Sequence, residues 1–299
     1  MGPSLIVAAE QEPNMLRRIV PLIVCLALVA CGGSPSPAAL VSSTSDKTTE
    51  AGTARMSLES TVRGIPGASN LSSTAEGVVD FEAQRGSLTL SLPEAAAAGM
   101  GAGDLRFVYD GTVIYLRSPG ALPGVATEWI SLDFGALSEQ VSGTDIEQFA
   151  QAGSNDPSNS LTLLKGTSES IEELGTEDVR GEETTHYRAT VDLRKAAEQA
   201  GAVRDQRQFE AFLDQFPSET IPVEVWLDEE GRTRRMRVDQ PIPETPGMSV
   251  PPDAGVIMTI ELYDFGVDEA IEIPPSDQVT DLTSQFSDVV DGATTTTTG

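Results

Sequence analysis

"LRFVYDGTVIYLRSP", residues 105–119, is the stretch whose reading decides the fold. Two runs rich in β-branched and aromatic residues flank the pair Asp110-Gly111. An Asp-Gly pair in that setting is a strong hairpin signal, because glycine supplies the positive φ of a primed two-residue turn. The second run carries Val113 and Tyr115 on one side and Ile114 and Leu116 on the other, so both of its faces are apolar. A sheet covered on one face only should alternate apolar with polar residues. Two apolar faces need two apolar environments. Either the core is thicker, or a curved sheet borders an apolar cavity on its concave side. The strand alone leaves both open.

The flanking sequence extends the pattern. "RMSLESTVRG" (55–64) sets Met56, Leu58, Ser60 and Val62 against Arg55, Glu59 and Arg63 at period two. In "AEGVVDFEAQRGSLTLSLP" (75–93) a turn at Gln84-Arg85-Gly86 precedes alternating Leu88, Leu90 and Leu92. The middle of the chain changes period. Ile146, Phe149 and Ala150, then Leu161 and Leu164, fall near helical spacing, with helix starts at Asp145 and Asn155-Asp156-Pro157. Strand character returns in "EDVRGEETTHYRATVDL" (177–193), where Tyr187, Ala189 and Val191 share a face. "RKAAEQAG" (194–201) and "DQRQFEAFLDQF" (205–216) read as short amphipathic helices, the second striped by Phe209, Phe212, Leu213 and Phe216. "TIPVEVWLDEEGRTRRMRVDQP" (220–241) is a hairpin turning at Glu229-Glu230-Gly231, and "GVIMTIELYDFG" (255–266) is a last strand, again apolar on both sides. The expectation is one α+β domain, a long antiparallel sheet with helices inserted mid-chain over one face.

The only two cysteines, Cys25 and Cys31, lie in "LIVCLALVACGGSPSP" (22–37). A bridge between them would staple nothing distant. "MLRRIV" from Met15 reads as a basic n-region, the following run of about a dozen apolar residues as an h-region too short to span a bilayer, which needs ~20. Residues 1–30 are therefore expected to be a signal peptide with Met15 as the true start. "LVAC", Leu28 to Cys31, resembles a bacterial lipobox. In that motif the cysteine thiol takes a diacylglycerol and becomes the first mature residue, and two acyl chains anchor stably where one is marginal. Residues 31–53, rich in Ser, Thr, Pro, Gly and Ala, are expected to be a flexible tether. Residues 283–299, ending "DGATTTTTG", are expected to be a disordered tail, open to O-glycans.

A net charge of −27, from 46 acidic and 19 basic residues, argues against a nucleic-acid partner. Catalytic groups are scarce. The single histidine, His186, lies on the strand face opposite Tyr187, Ala189 and Val191 and is expected outward, as a surface residue rather than a general base. No nucleophile elbow, phosphate loop, dinucleotide fingerprint or Cys/His cluster occurs, so no enzyme activity, metal or cofactor is expected. "GMGAGD" (99–104) lacks the strand-to-helix setting of a phosphate loop and reads as a mobile turn. Acidic "DEE" (228–230) reads as a solvated hairpin tip. Arg232, Arg234, Arg235 and Arg237 crowd one strand, and are either a solvated face paired with acids or a patch for phosphate head groups or a partner protein.

Taken together, the "LVAC" lipobox, "MSLESTVRG", "RFVYDGTVIYLRSPG" before "EWISLDF", "EDVRGEETTHYRATVDL", "VEVWLDEEGRTRRMRV" and the closing "YDFGVDEAIEIPP" resemble the LppX/LprA/LprF/LprG family of actinobacterial lipoproteins. That family is similar in fold to the LolA/LolB carriers and RseB. The resemblance covers roughly residues 54–282. It implies a half-barrel, a strongly curved antiparallel sheet wrapped over a few helices with an apolar cavity between. It implies binding of an acylated lipid or lipoglycan, transport of it across the envelope, and anchoring at the extracytoplasmic face of the cell membrane, with a membrane transporter or other envelope protein as partner. Inward cavity residues implied here are Leu88, Leu90, Phe107, Tyr109, Val113, Tyr115, Val225 and Ile260. An RseB-like sensor that regulates a membrane partner is the alternative.

Overall fold

The computed structural model describes residues 36–65, 72–91, 103–120, 124–140, 161, 164, 171–199, 210, 213, 218–242, 250–251 and 253–287. The alternating stretches form strands: β1 (Thr53–Arg63), β2 (Ser72–Asp80), β3 (Arg85–Ser91), β4 (Leu105–Asp110), β5 (Val113–Arg117), β6 (Trp129–Asp133), β7 (Glu172–Val179), β8 (Glu182–Asp192), β9 (Thr220–Leu227), β10 (Thr233–Pro241), β11 (Gly255–Tyr263) and β12 (Val279–Asp281). They build one curved sheet in the order β12-β6-β5-β4-β3-β2-β1-β11-β10-β9-β8-β7. Every pairing is antiparallel except β12 with β6. The two ends of that order, β12 and β7, do not pair, so the sheet is an open half-barrel.

The hairpins follow from local chemistry. The β4–β5 loop is Gly111-Thr112, one residue later than the Asp-Gly pair suggests, with Asp110 paired to Val113 and Gly111 at φ 57°. "EDVRGEETTHYRATVDL" is not one strand but the end of β7, a turn at Arg180-Gly181 and all of β8. Both turn residues have positive φ, 54° and 87°, as a type I′ turn requires. On β3, Gly86 faces Tyr109, and a Cβ at Gly86 would stand 2.1 Å from the tyrosine ring. The ring therefore lies where a side chain would, filling the place over the glycine.

The tether expected over residues 31–53 is corrected over much of its length. Pro37–Thr49 forms helix α1. Ser36 caps it by accepting from the Ala39 N–H, and Pro37 takes a first-turn position where its missing N–H costs nothing. Composition misleads here because the hydroxyls are satisfied internally. Thr44 and Thr48 are fully buried and Ser45 nearly so. The Thr48 hydroxyl donates to the Thr44 carbonyl at 2.6 Å and accepts from the Thr233 N–H at 2.9 Å, and the Thr44 and Thr233 hydroxyls pair at 2.9 Å. Val41 and Leu40 join the main core beside them. A polar helix can thus dock when each buried hydroxyl has a partner.

Two shorter helices follow, α2 (Phe134–Gln140) against β5 and α3 (Leu193–Gln199) against β8. Leu161, Leu164 and Leu213 are buried, whereas Ile146, Phe149, Ala150, Phe209, Phe212 and Phe216 lie outside the described residues, as does most of 99–104. The expected tail over 283–299 is corrected for residues 283–287, and the rest of it lies outside the described residues. Residues 283–287 are helical, Thr283 and Ser287 are buried, and the Thr283 hydroxyl accepts from the Asp133 N–H.

Thr48→Val tests the docking of α1. It leaves the Thr233 N–H buried without an acceptor, and should lower the free energy of urea unfolding by about 1–3 kcal/mol. An unchanged stability would mean that the Thr48–Thr233 hydrogen bond does not hold α1 to the sheet.

Candidate functional site

Antiparallel partners share a face, so the register assigns sides. Met56 pairs Leu262 and Gly77, Leu88 pairs Phe107, and Phe107 pairs Leu116. With Ala54, Leu58, Leu90, Tyr109, Ile114, Val225, Met236, Ile260 and the helix residue Val41, most of these make one core cluster. Six of the expected inward residues, Leu88, Leu90, Phe107, Tyr109, Val225 and Ile260, fall on this face. Val113 and Tyr115 do not. A two-residue loop pairs odd-numbered with even-numbered residues, so Ile114 and Leu116 share the face of Tyr109 and Phe107, and Val113 and Tyr115 take the opposite one. There Tyr115 pairs Val108, which is 1% exposed, and Ser131, which is also buried. Burial, with the nearby Asp110 carboxylate, holds the Tyr115 hydroxyl above the usual tyrosine range.

Burial along the core face is graded. Met56 and Leu88 are closed off, while Leu58 and Leu90, the next inward residues, are half-buried. On β11 Leu262 and Ile260 are buried, and Met258 and Val256 are half-buried. Phe107, Ile114 and Leu116 are half-buried too. The closed end is the one bearing the β2–β3 and β4–β5 turns, together with Thr233 and the C-terminal half of α1. Away from it, an incompletely covered apolar surface remains at Leu58, Leu90, Phe107, Ile114, Leu116 and Met258, whereas Ala75, Leu105, Val191, Ile221, Val223 and Val238 stay buried. Ile114, Leu116, Leu58 and Met258 belong to this surface and were missed in the sequence. For Ile114 and Leu116 the parity rule of the two-residue loop would have found them.

The arginine strand divides. A bulge between Thr233 and Arg235 inserts Arg234, which breaks the alternation. Arg235 donates to Glu261 at 2.8 Å, and Arg237 to Glu224 at 3.4 Å. Arg232 and Arg234 both donate to Asp228, at 2.8 and 3.0 Å. The four do not form one open basic patch. Asp228, read from "DEE" as solvated, has a side chain only 4% exposed, because it collects both guanidiniums and the Arg232 N–H.

His186 points to the expected face but is buried, at 7% exposure. It stacks on Trp226 at 3.9 Å between centroids, and its Nδ1 lies 2.9 Å from Glu177. Trp226, not solvent, covers it. Glu177 also accepts from the Trp226 indole N–H at 2.9 Å, so one carboxylate ties β7 to β8 and β9. Among the described residues no group of three potential metal ligands forms.

With this geometry in view, the chain can be set beside known proteins. It is similar to the Mycobacterium tuberculosis lipoprotein LppX. The two are 13% identical, the match covers 80% of this chain and 100% of that one, and the TM-score is 0.47. LprF from Mycobacterium bovis matches at 14% identity over 82% of this chain and 100% of its own, with a TM-score of 0.45. A putative outer membrane lipoprotein-sorting protein domain from Vibrio parahaemolyticus matches at 8% identity over 78% and 94%, with a TM-score of 0.25. No protein-family model matches the sequence, and no curated protein does.

Two carboxylates of the outer face are held below the usual glutamate range. For Glu177 the Trp226 hydrogen bond is the largest cause, with His186 and Arg235 adding to it against the cost of burial. For Glu261 burial is largest and pushes upward, but the bonds from Arg180 and Arg235 outweigh it. A depressed folded-state value contributes stability above the ordinary value of 4.5 that is lost as pH falls through the folded one. Urea midpoints measured at neutrality and well below pH 4.5 should therefore fall less in Glu177→Gln than in the parent. Parallel acid limbs would show that Glu177 adds nothing of this kind.

Proposed function

We propose that this chain is a membrane-anchored lipoprotein that shields the acyl chains of a lipid or lipoglycan against the concave face of its half-barrel and helps carry it across the cell envelope. The observation that carries the reading is the incomplete covering of that face on β1, β3 to β5 and β11. Leu58, Leu90, Phe107, Leu116 and Met258 are half-covered apolar residues of that face, beside a fully packed end. Covering the exposed remainder with an acyl chain is favourable at about 25 cal/mol per Å². The lipobox supports the anchor. Cys31 would carry the diacylglycerol and hold the body at the extracytoplasmic face of the membrane, where a transporter or envelope protein is the partner class. Catalysis is not part of the reading, since the one histidine is committed to Trp226 and Glu177.

The test uses the purified mature chain and a pyrene-labelled fatty acid. Leu116→Gln and Met258→Gln should each weaken binding by about tenfold, because each puts an unpaired amide against the chain. Val113→Gln, on the other face, should leave it unchanged. Absence of binding together with absence of co-purifying lipid, or equal loss in all three variants, would refute the reading. Metabolic labelling with palmitate should mark the parent and not Cys31→Ala.

A further inference from the structure

Away from the apolar face, the turns at the closed end of the sheet enclose a cleft of about 390 Å³. Arg180 and Glu182 reach it from the β7–β8 hairpin, Arg232 and Arg234 from β9–β10, and Tyr263 and Phe265 from the end of β11. Each guanidinium rests on an aromatic ring. Arg180 lies 4.0 Å from the centre of Tyr263, and Arg232 and Arg234 lie 4.8 and 4.9 Å from that of Phe265. Such stacking fixes the planar fork before any ligand arrives.

The donors of these forks are unequally used. Arg180 and Arg234 each spend the Nε–H on a carboxylate, Glu261 at 2.6 Å and Asp228 at 3.0 Å. Among the described residues their terminal nitrogens donate no hydrogen bond. Besides Asp228, Arg234 has Glu182 at 3.8 Å, beyond hydrogen-bond reach, although the arginine side chain is only 11% exposed and Glu182 is 59% exposed. A guanidinium so little exposed, whose terminal nitrogens bond no acceptor among the described residues, is set up for an added anion. The backbone agrees. Arg234 is the residue that the bulge inserts and re-aims. Arg180 and Asp264, both lining the cleft, hold left-handed conformations at φ 54° and 50° without being glycine.

We propose that this cleft binds a phosphate group, which enters between Arg180 and Arg234 and displaces Glu182. A tetrahedral oxyanion offers enough acceptors for forks arriving from two hairpins, whereas Glu182 stands 3.8 Å from Arg234 and the other lining carboxylate, Asp264, is paired with Arg55 at 3.5 Å. The net charge of −27 opposes anions at long range, so affinity rests on these local bonds and falls with salt. The phosphate is either free or the head group of a lipid.

Inorganic phosphate is titrated into the full chain at constant ionic strength against chloride, reading the arginine Nε–H resonances and the thermal midpoint. Saturable shifts at Arg180 and Arg234 are expected. Arg180→Gln, on the more exposed of the two side chains, should weaken binding by about tenfold. Glu182→Gln should tighten it, since the competing carboxylate is gone, and a merely structural role would not give that sign. Flotation of the Cys31→Ala chain with phosphatidylglycerol against phosphatidylcholine vesicles separates the sources. Retention by phosphatidylglycerol that Arg180→Gln abolishes assigns a head group, and phosphate binding without retention assigns a free phosphate. No saturable effect beyond chloride, or equal responses in parent, Arg180→Gln and Glu182→Gln, would overturn the proposal while leaving the acyl-chain reading untouched, because none of Leu58, Leu90, Phe107, Leu116 and Met258 lines the cleft.

Discussion

An open sheet with an apolar inner face cannot stay bare, and what covers that face governs everything else in this molecule. A barrel would cover it by closing, but β7 and β12 never meet. The chain instead lays α1 against β9 and β10. The contact is held by two threonines of the helix and one of the strand, and by Val41 and Leu40. This is a local solution. It seals the end where Met56, Leu88, Tyr109 and Leu262 lie and leaves Leu58, Leu90, Phe107 and Met258 half-covered. The same economy explains why a stretch made of serines and threonines is helical. Its small side chains allow close approach, and its hydroxyls have partners in Thr233 and in the helix itself.

The two apolar faces of β5 have separate explanations, and both readings of them hold in different places. Ile114 and Leu116 join the concave face. Val113 and Tyr115 join a second packed region on the convex side, with Val108 and Ser131 across the ladder. A thicker core accounts for the second, and an incompletely covered surface for the first. At the other end of the sheet the convex side carries charge. His186, Trp226, Glu177, Arg235 and Glu261 run across β7 to β11 as a chain of stacks and ion pairs. Most of these ion pairs are partly exposed and contribute little each, about 0–1 kcal/mol. They set side-chain positions more than stability.

Much of the sheet was legible because strand period and turn chemistry are local signals. The alternation of 55–63 and the Glu229-Glu230-Gly231 tip place elements correctly, and the glycine after Asp110 marks the β4–β5 hairpin, one residue early. What escaped was non-local. Helix α1 depends on Thr233, 185 residues from Thr48. The burial of His186 depends on Trp226 on the next strand, and that of Asp228 on an arginine that a bulge redirects. The turn at Arg180-Gly181 was concealed because Arg180 is not a residue expected at positive φ. Val113 and Tyr115 are a different case. Pairing parity through the two-residue loop was present in the sequence and assigns them to the convex side without any structure.

The central claim is that an acyl chain lies against the concave face, and photo-crosslinking tests it most directly. A fatty acid bearing a diazirine near its end would be bound to the mature chain, irradiated, and the adducts mapped by peptide mass spectrometry. Labels concentrated on Leu58, Leu90, Phe107, Leu116 and Met258, and absent from Val113 and Tyr115, are the predicted result. Labels spread over both faces, or confined to the convex one, would contradict it.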